Sequence, residues 1–208
     1  FTLRRWLFCA LAVLAISACA PQRVRPLADV AVGERLLSEH ESRVFERVDF
    51  DLSGRIAISD GKQGGSGRFE WQQRGSSFSL RFTAPISAQN WRLEVRPGQA
   101  VLIESNGAVR VANSAEELLE RELGWRLPAA ALRFWVLGMR APGSSSELQF
   151  DPHGQLHTLH QSGWDIRYLE RQLDQDPPMP RKLFARSGDH QVRMSIRRWN
   201  FDPNTSIE

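Results

Sequence analysis

Cysteine is nearly absent from this 208-residue chain: Cys9 and Cys19 are the only two, both within the first twenty residues. The rest of the chain therefore holds no disulfide framework, and its stability must come from packing. Long apolar runs are missing as well. The run from Trp6 to Ile16 is too short to cross a bilayer as a permanent helix. No block of basic residues marks a nucleic-acid partner. The serines lie in turns without a G-x-S-x-G elbow, and no pair of carboxylates stands out as acid and base. His153, His157 and His160 are close in sequence, but positions 157 and 160 of a strand face opposite ways and His153 falls in a turn, so a shared metal is not expected. The glycine-rich segment Asp60 to Gly67 leads into a strand rather than a helix, which removes the helix N-terminus that a phosphate cradle needs. An enzyme reading has no residues to name.

What is present begins at the N-terminus. Arg4 and Arg5 precede the apolar run, and Ile16-Ser17-Ala18-Cys19 places small residues before a cysteine, the pattern of a bacterial lipobox. Residues 1–18 are expected to be a lipoprotein signal peptide, with Cys19 carrying a diacylglyceryl group and an N-acyl chain as the lipidated first residue. Removal of that segment takes two arginines and no acid, leaving 25 basic against 24 acidic residues, so the sequence pI of about 9.4 overstates any affinity for nucleic acid. Ala20, rather than an aspartate, follows Cys19; by analogy with enterobacterial sorting this favours the outer membrane. Residues 19–30, with two prolines, read as a lipid-anchored tether, residues 31–203 as a single domain, and residues 204–208 as a tail.

The domain is dominated by alternation. From Gly67 to Val95, Phe69 and Trp71, then Phe78, Leu80 and Phe82, then Trp91, Leu93 and Val95 occupy every second position between polar residues. Side chains alternate faces along a strand, so this predicts three antiparallel strands with one apolar and one wet face. The Arg74-Gly75-Ser76 turn is polar, but the next connection, Ala84 to Gln89, carries an aliphatic residue after a proline, Pro85-Ile86. A loop that only reverses the chain has no need of Ile86. Alternation also predicts a strand from Phe50 turned by Asp60 to Gly67, a hairpin at Asn106-Gly107, and strands through Leu148–Phe150, Gln155–Gln161, Trp164–Leu169, Arg181–Arg186 and the stretch around Val192 to Ile196.

Three helices complete the pattern. Val32, Leu36, Leu37, Val44 and Phe45 recur at near-helical spacing between about Val30 and Val48. Ser114-Ala115-Glu116-Glu117 opens a second helix that stops at Gly124, and Pro128 precedes a third, Ala129 to Leu137, ended by Gly138. The third is apolar nearly all round and must be covered or must cover something. The sum is a mainly β domain, an antiparallel sheet of ten or so strands interrupted by two helices and preceded by one. Such a sheet curls, and its apolar inner face either fills with side chains or encloses a ligand. Periodicity does not separate the two.

The lipobox at Cys19, the G-R-I-A-I strand at Gly54, F-E-W-Q-Q at Phe69, the proline-aliphatic loop at Pro85-Ile86 and the segment from Ser114 to Gly138 with L-G-W-R-L-P and W-V-L-G together resemble the LolB family of outer-membrane lipoprotein receptors. The likeness runs in order from Gly54 to about Trp199. It implies an unclosed antiparallel β-barrel of about eleven strands with a helical lid, enclosing an apolar cavity for the acyl chains of lipoproteins. It implies a monomer that takes acylated lipoproteins from the periplasmic carrier LolA and inserts them into outer-membrane lipid, with no bond made or broken and no cofactor beyond the lipid on Cys19. The family's protruding loop carries an exposed aliphatic residue important for delivery, and the matching position is Ile86, beside Pro85. Trp71, Phe82, Trp91, Phe134, Trp135 and Leu137 are expected to line the cavity. A different class, a structural or assembly lipoprotein that docks another envelope protein and has a filled core, fits the same periodicity.

Overall fold

Alternation in the sequence becomes alternation of burial in the structure. A computed structural model describes residues 30–47, 49–84, 90–124 and 127–201. The signal peptide, Cys19 and its tether, Pro85, Ile86 and the tail lie outside the described residues. In β1 (Phe50–Ser59) Phe50, Leu52, Ile56 and Ile58 are buried while Arg55 is exposed between them. In β2 (Gly64–Arg74) Phe69, Trp71 and Gln73 point inward and Arg68, Glu70 and Gln72 outward. β3 (Ser77–Thr83), β4 (Asn90–Arg96), β5 (Gln99–Glu104) and β6 (Val109–Ala112) continue the meander, and after the helical interruption β7 (Ser146–Phe150), β8 (Leu156–Gln161), β9 (Trp164–Gln172), β10 (Met179–Ser187) and β11 (His190–Asn200) form a second one.

All eleven strands belong to one sheet in the order β6-β5-β4-β3-β2-β1-β11-β10-β9-β8-β7. The first and last strands are thus central neighbours, paired antiparallel from Asp51↔Asn200 to Ser59↔Gln191. The two edges, β6 and β7, are consecutive in the chain and do not pair with each other, so the curled sheet stays open. The two central helices, α2 (Ala115–Leu123) and α3 (Ala129–Trp135) by chain order, link these edges, and α1 (Val30–Phe45) packs beside β7.

The glycine-rich segment departs from expectation. The sequence suggests a turn through Gly67, whereas the turn is only Asp60 to Gln63, where the Asp60 carboxylate accepts the amides of Lys62 and Gln63. Gly64 to Gly67 are strand, paired with Ser59 to Ile56. Glycine shows no side-chain alternation, which is why the strand is invisible there. Its small size has a use at Gly67, where a Cβ would lie 2.4 Å from the Thr83 carbonyl and 2.8 Å from the Phe82 ring. Gly54 is similar: it sits at a register shift between β1 and β11, and a Cβ would approach the Ser195 carbonyl to 2.1 Å.

The helix signals hold more closely. The Ser114 hydroxyl accepts the Glu117 amide at 3.1 Å, and Gly124 takes the left-handed conformation (φ 68°) at the other end of α2. α3 ends at Trp135, two residues before the expected stop, and the chain turns through Val136 and Leu137 to Gly138 at φ 75°. α1 buries Leu37 and Val44 and lays Gly33 against the Phe150 ring, where a Cβ would be 2.4 Å away.

Candidate functional site: an apolar chamber under two helices

The inner face of β2, β3 and β4 is built in rows across the sheet. Trp71 lies opposite Leu80, which lies opposite Leu93; one row along, Phe69 lies opposite Phe82, which lies opposite Trp91. Phe82 and Trp91 stack with centroids 5.1 Å apart and planes 19° from parallel. Trp71 leans on Phe78 at 5.4 Å and donates its indole N–H to the Gln73 side chain at 3.1 Å. Gln73, itself buried, passes this on by donating to the carbonyls of Gly75 and Ser77. The expected residues Trp71, Phe82 and Trp91 are therefore brought together on one apolar wall.

The helices close that wall. Leu119 of α2, then Leu127, Ala129 and Leu132 of the following segment and α3, face it across a cavity lined only by apolar side chains. The cavity is small, about 30 Å³, which is room for roughly one or two waters. Neither fully filled nor spacious, the interior is occupied by the lid itself.

Phe134, Trp135 and Leu137 stand elsewhere, outside the lining of that cavity. Successive helical residues turn by about 100°, so Phe134 and Leu132 project from nearly opposite sides of α3. Phe134 and Leu137 line a separate cleft of about 260 Å³ against Val44, Phe45 and Phe50, with the Arg133 guanidinium 4.6 Å from the Phe134 ring centroid. Trp135 is a pin. Its indole N–H donates to Gln161 at 2.9 Å, its carbonyl accepts the Tyr168 hydroxyl at 3.0 Å, and its ring tilts on Trp164 at 6.2 Å. An all-round apolar helix is thus explained by three neighbours: chamber, α1 cleft and the β8–β9 wall.

The hydrogen bonds show how the lid is hung. Gln161, 1% exposed, accepts from Trp135 and from the Ala141 amide and donates to the Ala141 and Ser144 carbonyls, so every polar atom of its side chain is used. The neutral ring of His40 donates from Nε2 to the Leu137 carbonyl at 2.8 Å, and burial lowers its pKa below 6.5 by disfavouring the cation. Burial likewise raises the Tyr168 pKa well above its usual value and keeps the hydroxyl a donor. Glu41 of α1 takes both the Arg140 guanidinium and the Arg140 amide. At the other end the ties are lighter and exposed: Glu116 accepts the Ala130 amide, and Arg121 donates to the Val111 carbonyl on the edge strand. The lid is anchored at its C-terminal end by buried hydrogen bonds and at its other end by exposed ones, Arg110 to Glu122 among them, and by the burial of Ala115, Leu118 and Leu119.

Sequence reasoning missed Ala129 and Leu132, because a helix apolar on every side gives no signal for the face that points inward. Leu127, in the segment before that helix, and Leu119 were missed too, although Leu119 is one of the few apolar residues of an otherwise charged α2. It also missed Gln73 and Gln161. Here a signal existed: Gln73 is in phase with Phe69 and Trp71, and Gln161 is in phase with Leu159, so both stand on inward positions. Among the described residues no cluster of three or more metal-capable side chains occurs. His160 is engaged with Asp165 at 2.7 Å.

An open antiparallel half-barrel whose apolar interior is stoppered by a two-helix lid defines the class of fold to which this chain belongs. The fold is that of the LolA superfamily: a protein of that superfamily from Nitrosomonas europaea superposes with a TM-score of 0.54 at 8% identity, covering 81% of this chain and 92% of its own. An outer membrane lipoprotein-sorting protein domain from Vibrio parahaemolyticus gives 0.53, covering 86% and 95%. The profile of the family described as outer membrane lipoprotein LolB matches residues 48–199. The outer-membrane lipoprotein LolB of Alkalilimnicola ehrlichii is 36% identical over 200 residues, 96% of this chain and 98% of its own, and that of Nitrosococcus oceani is 33% identical over 191 residues, 91% and 94%. The chain belongs to the LolB family of outer-membrane lipoproteins.

Proposed function

We propose that this chain is an outer-membrane-anchored receptor that accepts acylated lipoproteins from the periplasmic carrier LolA, holds their acyl chains between sheet and lid, and passes them into the inner leaflet of the outer membrane. The observation that carries this reading is the wholly apolar chamber under a two-helix lid. At about 30 Å³ the chamber cannot take an acyl chain while α2 and α3 stay in place. Entry must displace Leu119, Leu127 and Leu132, and the chain takes over their contacts with Phe82, Trp91 and Leu93. Burying a methylene contributes roughly 0.8 kcal/mol, but here each buried methylene replaces lid atoms that were already buried. The net gain is the difference, which keeps binding weak enough for release. Cys19 supplies the anchor and residues 20–30 the reach. Pro85 and Ile86 supply the apolar tip that enters the membrane, supported by their match to the family's loop and by the lack of any turn-forming reason for Ile86.

The same small volume favours a second reading, a structural or assembly lipoprotein with a filled core. One binding experiment separates them. A fluorescent apolar probe should brighten in the protein and be displaced by an acylated peptide but not by the unacylated peptide of the same sequence. A protein that neither binds the probe nor distinguishes the two peptides is the filled-core lipoprotein.

A further inference from the structure

The outer face of the central strands carries a feature that the chamber does not explain. A groove of about 820 Å³ runs across β2, β1, β11, β10 and β9, and five cations line it: Arg55, Arg68, Arg167, Lys182 and Arg193. No carboxylate lines it. Lys182 is paired with Glu170 at its margin, whereas Arg55, Arg68, Arg167 and Arg193 form no salt bridge among the described residues. Outward arginines elsewhere on the sheet are either paired, as Arg74 is with Asp51 and Arg92 with Glu94, or, among the described residues, stand singly at the strand margins, as Arg96 does; the groove gathers four of the unpaired ones in one concavity. Phe184 sits at the centre of the groove with the guanidinium of Arg167 at 4.9 Å and that of Arg193 at 5.4 Å from its ring centroid.

Register fixes where this groove lies. One row across the sheet runs Thr83, Arg68, Arg55, Ser195, Lys182; the next, nearer the strand ends, runs Ser66, Ala57, Arg193, Phe184, Arg167. Thr83 is the last residue of β3, and the chain leaves it for Pro85 and Ile86. Thr83 pairs with Asn90, so the connection whose sequence carries Pro85 and Ile86 leaves and rejoins the sheet at this end. The cations therefore stand on the half of the outer face beside the proposed membrane-entering segment. The interfacial layer on each side of a bilayer is only about 5–7 Å thick, and the Debye length at physiological salt is about 8 Å. An apolar tip at the hydrocarbon boundary brings these rows within electrostatic range of the headgroups.

We infer that the Arg55–Arg68–Arg167–Arg193 groove is a docking surface for anionic phospholipid headgroups, which holds the receptor's loop end against the membrane during delivery. This rests on the reading of Pro85-Ile86 as the membrane-entering loop. Guanidinium forks match phosphate oxygens bidentately, so docking is set by lipid composition and ionic strength.

The test uses the full chain with Cys19→Ala, so that the lipid anchor does not mask the surface, sedimented with vesicles of phosphatidylcholine alone or with one-fifth phosphatidylglycerol. Residues 1–18 contribute equally to every variant and cancel in the comparison. The parent should prefer the anionic vesicles, and the preference should collapse in 0.5 M salt. The quadruple variant R55Q/R68Q/R167Q/R193Q should lose roughly fivefold in affinity per arginine, several hundredfold together at low salt. The charge-matched control R35Q/R96Q/R197Q/R198Q should lose far less, and R55K/R68K/R167K/R193K should retain most of the preference. A parent without anionic preference, equal losses in both glutamine variants, or a groove variant that keeps its preference for phosphatidylglycerol while binding an acidic carrier protein more weakly each overturns the proposal. Acyl-peptide displacement of the apolar probe should be unchanged in the groove variant; its absence in the parent would count against the receptor reading and leave the groove to be judged on the vesicles.

Discussion

Replacing Gln161 by leucine should be among the most damaging single changes in this domain, although leucine is close in size and the site is fully buried. The side chain satisfies the Trp135 indole N–H, both the N–H and the C=O of Ala141, and the Ser144 carbonyl. The segment around Ser144 is exposed, and water can replace that fourth bond at little cost. The other three groups are buried and would be left unpaired, at roughly 1–3 kcal/mol each. Partial rewetting near Ala141 lowers the sum, and a loss of about 3–5 kcal/mol is expected, a large share of a typical stability of about 5–15 kcal/mol. With a urea dependence of about 2 kcal/mol/M, the unfolding midpoint should fall by roughly 2 M. Gln73→Leu is the internal comparison. It strands the Trp71 N–H, but its two carbonyl partners lie in the Gly75–Ser77 turn that water reaches, so about 1–2 kcal/mol is expected. Equal losses in the two variants, or a loss below about 1 kcal/mol for Gln161→Leu, would refute the view that Gln161 hangs the lid.

Two further outcomes follow from the same geometry. His40 has a folded pKa below its unfolded value of 6.5, so the folded state binds fewer protons: its contribution is fully present above pH 6.5 and is lost as pH falls through that lowered pKa. Urea midpoints measured from pH 7 to pH 5 should show this slope, and His40→Gln, which keeps a donor for the Leu137 carbonyl without titrating, should flatten it; an unchanged slope would assign the acid sensitivity to another group. Ile86→Glu should leave the fold and acceptance from the carrier intact while slowing delivery to liposomes by roughly tenfold or more, since placing a charge at the hydrocarbon boundary is costly. Delivery at the wild-type rate would remove Ile86 from the mechanism.

Much of the architecture could be read from the chain because one inner face is buried: a period of two at Phe69–Trp71, Phe78–Phe82 and Trp91–Val95 admits only one strand register. The strands failed to show where side chains are missing, at Gly64 to Gly67, and where a proline interrupts the pattern, since β10 already begins at Met179 and Pro180. The pairing of β1 with β11 has no local signal, because it joins residues some 140 positions apart. At the site, the wall was legible and the lid was not. Trp71, Phe82 and Trp91 owe their place to alternation, whereas Ala129 to Leu137 is apolar in every direction and only its neighbours decide that Leu132 faces the chamber while Phe134 faces α1.

The central seam between β1 and β11 gives the molecule two leaves, residues 50–112 and 146–200, each continuous in the chain. The leaves are joined by backbone hydrogen bonds along the seam and covalently only through the segment that forms the lid. Any guest that wedges the leaves apart therefore pulls on α2 and α3 from opposite ends, and any pull on those helices is felt at both free margins. A single stretch of chain, residues 113–145, thus both covers the chamber and ties its two free margins together.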